Sequence, residues 1–270
     1  MATSRSDPPP AAGRLAVDGH ALAWEVHGHA HAPAVVLLHH GLGSRRAWRA
    51  QVPALAEAGW RTLAYDRWGY GASDPRPALD LPAFRRDRLD LQALLDDRGV
   101  ERAALIGHSD GGTLALEFAA AHPARVAALI VVAAHIYIEP AMIPGLEDLR
   151  RRFETEAGFR EGLRRAHGDK ARQVFDNWYG GWARPEHLGW DLRPRLASIA
   201  CPALVAQGED DEHASPQHAR DLAASLGQAT LWLEPGAGHM LPQDQPALFN
   251  QRALAFLEPA QALLQAAPER

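Results

Sequence analysis

A single serine, Ser109, stands between glycines where an apolar segment gives way to an amphipathic one. Residues 107–111 read G-H-S-D-G, which fits the pattern G-x-S-x-G between a predicted strand (101–108) and a predicted helix (110–122). Such a turn forces strained backbone angles on the serine and exposes its hydroxyl. The motif therefore predicts a nucleophile at the sheet edge where α/β proteins bind ligands; the alternative is a glycine-rich turn with a capping serine.

The downstream sequence offers the base and the acid that a serine nucleophile needs. A hydroxyl is a weak nucleophile until a base takes its proton, and an imidazole serves as that base when a carboxylate orients it. His239 lies in "PGAGHMLP" after the last predicted strand, and "GEDDEH" after the preceding strand contains Asp210 and Asp211. Their spacing from the strand does not distinguish the two aspartates. We expect the flanking Glu209 and Glu212 to face solvent.

Two backbone N–H groups are expected to stabilise the oxyanion that an attack by the serine would create. One is the amide of Asp110, directly after the nucleophile. The other is the amide of Leu42 in "HHGLGS", where Gly41 permits a close backbone approach. A simple turn capped by Ser44 is the alternative interpretation of this loop.

Strands and helices alternate along most of the chain, which predicts an α/β fold with a mostly parallel sheet flanked by helices. A hairpin is expected over residues 15–26, and further strands over 34–40, 61–66, 101–108, 126–134, 202–208 and 229–235. The alternation stops after residue 134. We therefore predict an inserted helical cap at 135–195, a core of 13–134 and 196–270, and a disordered, proline-rich lead-in at 1–12.

Five segments, in chain order, resemble the α/β-hydrolase family, and in particular its esterase-like serine hydrolases with a helical cap. They are "LLHHGLGS", "YDRWGYGASD", "IGHSDGG", "CPALVAQGEDDE" and "PGAGHMLPQDQPALF". The resemblance implies the α/β-hydrolase fold and a catalytic triad of Ser109, Asp211 and His239, because the family pattern G-x-x-D starts here at Gly208 and ends at Asp211. It excludes the haloalkane dehalogenases and epoxide hydrolases of this fold, which use an aspartate nucleophile.

These features favour a hydrolase of carboxylic esters with small or medium apolar acyl or aryl groups, acting through an acyl-enzyme without metal or cofactor. The same triad also supports C–C bond hydrolysis, lactone opening, acyl transfer and perhydrolysis. Relatives of this fold include non-enzymatic ligand receptors as well. The expected partner is a small-molecule ester, and the sequence leaves the oligomeric state open.

The predicted cap carries 8 of the 19 aromatic residues of the chain. These side chains either wall an apolar pocket above Ser109 or form a small core of the cap itself. We expect five residues to contact the substrate: His40, His108, Tyr137, Trp178 and Trp182. The cap arginines alternate with acids, which is typical of a solvated helix face; an anchor for a substrate carboxylate is the alternative. His213 and His218 are expected on the protein surface.

The composition excludes several other classes of protein. With 33 acidic and 28 basic residues and a net charge of −5, no basic block marks a nucleic-acid-binding surface. The one cysteine, Cys201, excludes an internal disulfide. His27, His29 and His31 lie in a loop without a nearby acid, so no metal site is expected. No signal peptide or membrane-spanning apolar run is present, which predicts a cytoplasmic protein; the single lysine and abundant alanine indicate a bacterial one.

Overall fold

The structure, a computed structural model, describes residues 10–140 and 142–266. Its strands are β1 (Ala11–Val17), β2 (His20–His27), β3 (Ala34–Leu38), β4 (Arg61–Tyr65), β5 (Ala103–His108), β6 (Val126–Val132), β7 (Ala203–Gly208) and β8 (Ala229–Glu234). Within the described ranges they form one sheet in the spatial order β1-β2-β4-β3-β5-β6-β7-β8. The hairpin of β1 and β2 pairs antiparallel at one edge, and the strands from β4 to β8 run parallel.

The helices either cover the faces of this sheet or belong to the segment inserted between β6 and β7. They are α1 (Gln51–Glu57), α2 (Arg85–Asp97), α3 (Asp110–Ala121), α4 (Met142–Thr155), α5 (Ala157–His167), α6 (Ala171–Trp182), α7 (Arg193–Leu196), α8 (Gln217–Ser225), α9 (Leu241–Asp244) and α10 (Pro246–Gln265). Side chains of α2, α3 and α8 pack on one face, and those of α1 and α10 pack on the other. This arrangement confirms the predicted α/β fold.

The strands β3 and β6 are apolar along their whole length because both of their faces are covered. In β3, Val36 and Leu38 pack towards α2 and α3, whereas Val35 and Leu37 pack towards α1 and α10. A strand with only one covered face would instead alternate apolar and polar residues. Helices therefore cover both faces of the sheet, and the site lies at the carboxyl ends of the strands.

Between β6 and β7 the chain leaves the sheet and forms α4 to α7. This segment has a small core of its own, in which the rings of Phe153 and Phe175 stack with centroids 4.0 Å apart. At the other end of the chain, β1 begins at Ala11, inside the predicted disordered lead-in. Residues 1–9 of that lead-in lie outside the described part of the structure.

The turn from β5 into α3 depends on two glycines. A β-carbon at Gly107 would lie 2.2 Å from the carbonyl oxygen of Gly111, and one at Gly111 would lie 2.1 Å from that of Leu38. Contacts this short between a β-carbon and a backbone oxygen do not occur without a shift of the backbone. The glycines therefore let α3 approach β5 and β3 closely, and they fix where Ser109 stands.

We predict opposite effects for two glycine-to-alanine substitutions. Gly111→Ala should lower the free energy of unfolding by about 1–3 kcal/mol, because the new methyl group overpacks a rigid site. Gly180→Ala is the matched control. It lies inside α6 with open space around its α-carbon, and it should raise the free energy of unfolding by about 0.5–1 kcal/mol.

Urea denaturation of both variants would measure these changes. A Gly111→Ala protein as stable as the wild type would contradict the close approach at the turn.

Candidate active site

Ser109 occupies a backbone conformation that non-glycine residues rarely adopt. Its φ is 54° and its ψ is −120°, and such strain persists only where the surrounding structure enforces it. The enforcement is visible here: the Ser109 amide donates to the carbonyl of Val132 at 2.8 Å, and the Ser109 carbonyl accepts from the amide of Gly112 at 2.8 Å. The side chain stands at the carboxyl end of β5, as the motif predicts.

His239 and Asp211 meet at the carboxyl ends of β7 and β8. The Nδ1 atom of His239 lies 3.0 Å from both carboxylate oxygens of Asp211. Asp210 does not compete for the imidazole, because its own side chain is exposed and its amide donates to the carbonyl of Ala237. The geometry thus distinguishes the two aspartates that the sequence spacing left open.

The environment of Asp211 keeps its carboxylate ionised. Burial raises the pKa of Asp211, but His239 and the backbone amide of His213 more than offset this, so the pKa lies below its usual value. The amides of His213 and Ala214 and the side-chain amide of Gln207 all donate to this carboxylate. A charged, fully hydrogen-bonded acceptor of this kind fixes Nδ1 of the imidazole as the protonated nitrogen.

A cavity of about 420 Å³ lies above these residues, under the segment α4 to α6. Ser109 and His239 both line it, and so do the predicted substrate contacts His40, Trp178 and Trp182. The rest of the lining is mostly apolar and comes from the cap and the flanking loops: Met142, Leu146, Leu149, Phe159, Leu163 and Met240 among others. Its charged lining residues are Arg152 and Glu212.

Two of the predicted substrate contacts, His108 and Tyr137, do not line the cavity. The ring of His108 is fully buried behind the site, and its Nε2 lies 2.8 Å from the carbonyl oxygen of His239. Tyr137 stacks on His218 outside the cavity, and its hydroxyl donates to Asp221 at 3.0 Å. Both residues are near functional positions in sequence, but their side chains pack into the protein instead of facing the cavity.

The expected surface positions of His213 and His218 need correction, whereas the expected exposure of Glu212 is confirmed. His218 is fully buried, with Nδ1 accepting from the amide of Ile136 and Nε2 lying 3.3 Å from a carboxylate oxygen of Glu139. His213 lines the cavity and meets the ring of His239 edge-on at 4.7 Å. The side chain of Glu212 is 58% exposed, yet one of its oxygens accepts from the His239 amide at 3.1 Å.

His135, which lies shortly after the end of β6 at Val132, is a site residue that sequence reasoning missed. It lines the cavity, and its ring lies 6.2 Å from that of His239. Burial, together with the neighbouring imidazoles of His218 and His239, lowers the pKa of His135 to about 3. Its only sequence signal is that it directly follows the predicted strand over residues 126–134, as the catalytic loops of parallel sheets follow their strands.

The backbone N–H groups of Leu42 and Asp110 are available at the site. Among the described residues, neither group donates a hydrogen bond to another backbone or side-chain acceptor. Leu42 lines the cavity beside Gly41, and Asp110 opens α3 directly after the serine. A helix N-terminus and a glycine-rich loop can together stabilise a negative oxygen.

Comparison with known proteins agrees with this geometry. The sequence model of the alpha/beta hydrolase family matches residues 35–252. The chain belongs to the alpha/beta hydrolase family. Its relatives bear hydrolase names, and the protein is an enzyme of the hydrolase class. The predicted α/β-hydrolase fold is thereby confirmed.

Two relatives and one solved structure indicate the range of chemistry in this family. A Variovorax paradoxus (strain S110) protein provisionally named carbamate hydrolase RutD is 34% identical over 87% of this chain and 96% of its own length. The 2-hydroxy-6-oxo-6-phenylhexa-2,4-dienoate hydrolase of Comamonas testosteroni is 27% identical over 83% of this chain and 87% of its own. The enol-lactonase of Burkholderia xenovorans LB400 has a TM-score of 0.73 and 26% identity, covering 91% of this chain and all of that one.

In residues 10–140 and 142–266, no group of three or more His, Cys, Asp or Glu side chains is arranged to hold a metal ion. None of the helices in the same ranges combines the length and the apolar character that crossing a membrane requires.

We predict that the buried, neutral His135 makes the protein sensitive to acid. Its pKa is lower in the folded chain than the ordinary value near 6.5, so below that pH the unfolded chain binds a proton that the folded chain does not. The free energy of unfolding therefore decreases as the pH is lowered from 6.5 to 3, by up to about 1.4 kcal/mol per pH unit for this group.

Urea denaturation at pH 8, 6, 5 and 4 would test this for the wild type and for His135→Phe, which keeps a ring of similar shape. The variant should show a shallower fall in the free energy of unfolding below pH 6.5. Equal slopes in the two proteins would contradict the role assigned to His135.

Proposed function

We propose that the protein is a serine hydrolase of carboxylic esters with small or medium apolar acyl or aryl groups. The observation that carries the proposal is the pairing of His239 Nδ1 with both oxygens of Asp211 at the wall of the cavity that Ser109 also lines. A strained serine, an oriented imidazole and a buried carboxylate are the groups that acyl transfer requires. The mostly apolar cavity supports an apolar acyl or aryl group.

In the proposed mechanism, Ser109 attacks the ester carbonyl carbon while His239 takes the hydroxyl proton. Asp211 holds the imidazole in the required tautomer and stabilises the imidazolium. The amides of Leu42 and Asp110 donate to the oxyanion of the tetrahedral intermediate. His239 then protonates the departing alkoxide, and the acyl-enzyme remains on Ser109.

Deacylation repeats these steps with water as the nucleophile. His239 removes a proton from the water molecule, which attacks the acyl carbon, and then returns a proton to Ser109 as the carboxylic acid departs. No step requires a metal or an organic cofactor, so a small-molecule ester and water are the proposed reactants.

Hydrolysis of a C–C bond is the second candidate, and Arg152 favours it. A dienoate substrate of the kind named for the Comamonas testosteroni relative carries a carboxylate, and Arg152 is the basic residue that lines this cavity. A guanidinium is well suited to bind a carboxylate through two hydrogen bonds. Turnover of such a dienoate by wild type, without hydrolysis of any ester, would replace the ester proposal.

We predict that the triad residues control ester hydrolysis. Asp211→Asn should lower kcat by roughly 10⁴-fold because the amide no longer holds the imidazole in the required tautomer, and Ser109→Ala should leave no burst of product. A panel of p-nitrophenyl esters from acetate to laurate would measure both. Asp210→Asn is the matched control, since its side chain is exposed and does not contact His239.

Equal rates for wild type and Ser109→Ala would exclude Ser109 as the nucleophile. Equal loss in Asp210→Asn and Asp211→Asn would contradict the assignment of the acid.

We predict that the cap side of the cavity sets the acyl chain length. Leu163 of α5 is buried and lines the cavity, so Leu163→Phe should lower kcat/KM for the longer esters by about 10-fold and change acetate hydrolysis by about twofold at most. Leu188→Phe serves as the control, because Leu188 is an exposed leucine of the same inserted segment.

The same ester panel would measure the effect. A uniform loss over all chain lengths in Leu163→Phe would show that α5 does not limit the acyl group.

A further inference from the structure

The last residue of α5, His167, links the cap to the loop that carries Leu42. The ring of His167 is buried, its Nδ1 accepts from the amide of Gly71 at 3.0 Å, and its Nε2 lies 3.1 Å from the carbonyl oxygen of Leu42. A backbone amide can only donate and a carbonyl can only accept. The imidazole is therefore the neutral tautomer with hydrogen on Nε2, and it donates to Leu42.

The loop around Leu42 needs such an anchor. Leu42 stands between Gly41 and Gly43, and glycine leaves the backbone more conformational freedom than any other residue. The cap restrains this loop a second time through Trp178, since a β-carbon at Gly41 would lie 2.0 Å from the Trp178 indole nitrogen. The position of the Leu42 amide is thus set from outside the loop, largely by cap side chains.

The last residue of α6, Trp182, links the cap to Asp110. The indole N–H of Trp182 donates to one carboxylate oxygen of Asp110 at 3.1 Å, and Arg67 lies 3.5 Å from the other oxygen. All three side chains are buried. Burial raises the pKa of Asp110, while Arg67 and the indole act in the opposite direction. A buried carboxylate with these partners holds its residue, and the start of α3, in one position.

We infer that His167 and Trp182 are positioning residues through which the cap aligns both N–H donors of the oxyanion hole. The inference rests on the proposed function, in which the amides of Leu42 and Asp110 stabilise the oxyanion. Hydrogen-bond donors lower the barrier only when they are aimed at the developing charge before the reaction. Each of the two donor residues is held by a hydrogen bond from the end of one cap helix.

This role predicts a specific kinetic effect. A cap that only walls the cavity would change KM when its contacts are removed, because ground-state binding would weaken. A cap that aligns the oxyanion donors should instead change kcat, because these donors act on the transition state. The two roles therefore differ in which kinetic constant responds to the same substitution.

The experiment uses His167→Phe and Trp182→Phe, which remove the donors and keep aromatic rings. Each variant should lower kcat on p-nitrophenyl esters by roughly 10-fold or more. His167→Phe, whose side chain does not line the cavity, should in addition change KM by about twofold at most. The rate of labelling of Ser109 by a fluorophosphonate should fall by the same factor. The serine attacks the phosphorus and displaces fluoride, and the negative charge that develops on the phosphonyl oxygen also needs the oxyanion donors. His167→Gln, whose amide can both accept from Gly71 and donate to Leu42, should restore most of the rate.

Trp190→Phe is the matched control, because it replaces another cap tryptophan that has no hydrogen bond to Leu42 or Asp110 among the described contacts. Thermal melting would show that each variant is folded. Wild-type labelling rates in folded His167→Phe and Trp182→Phe, or a rise in KM with kcat unchanged, would overturn the inference. Failure of the fluorophosphonate to label wild type, or equal labelling of Ser109→Ala, would instead overturn the proposed function.

Discussion

Close backbone contact at glycines is the constraint on which the site depends. Gly107 and Gly111 bring α3 against the sheet so tightly that neither position has room for a β-carbon. The other half of the site contains the same kind of contact. A β-carbon at Gly208, the last residue of β7, would lie 2.0 Å from the carbonyl oxygen of Ala237, in the loop that leads to His239. Backbone packing, which is stiffer than side-chain packing, therefore sets where the serine and the imidazole stand.

The acids and the histidines around the site are buried in different ways. The acids beside it are buried with partners: Asp211 with His239, and Asp110 with Arg67, which also lies 3.5 Å from Asp87. The imidazoles around His239 are kept neutral, because burial lowers the pKa of His108 and His135 below the ordinary value. The imidazoles of His108 and His135 therefore add no positive charge beside His239.

The parts of the site that local chain chemistry determines could be predicted from the sequence. The turn at Ser109, the loop of Leu42 and the position of His239 each follow from a short motif beside a strand. The acid could be assigned from spacing only with the family pattern, because Asp210 and Asp211 differ in the direction of their side chains, which the folded loop decides. For the same reason, the sequence does not show that the side chains of His108 and Tyr137 lie outside the cavity lining. The cap residues Leu146 and Leu163 gave no signal, since an amphipathic helix shows the same pattern whether it faces a core or a cavity.

The inserted segment leaves the sheet after β6 and returns at β7, and these two strands are direct neighbours. Because the two strands run parallel, the segment starts at the carboxyl end of β6 and finishes at the amino end of β7, and the sheet fixes both points. A longer or shorter excursion between them costs little in chain entropy. The segment can therefore be exchanged as a module: a different cap would give the cavity new walls without changing the register of the sheet. The contacts of His167 and Trp182 limit this freedom, because an incoming module must supply its own donors to the Leu42 carbonyl and the Asp110 carboxylate. Substrate range is free to diverge in this scaffold, whereas those two attachment points are not.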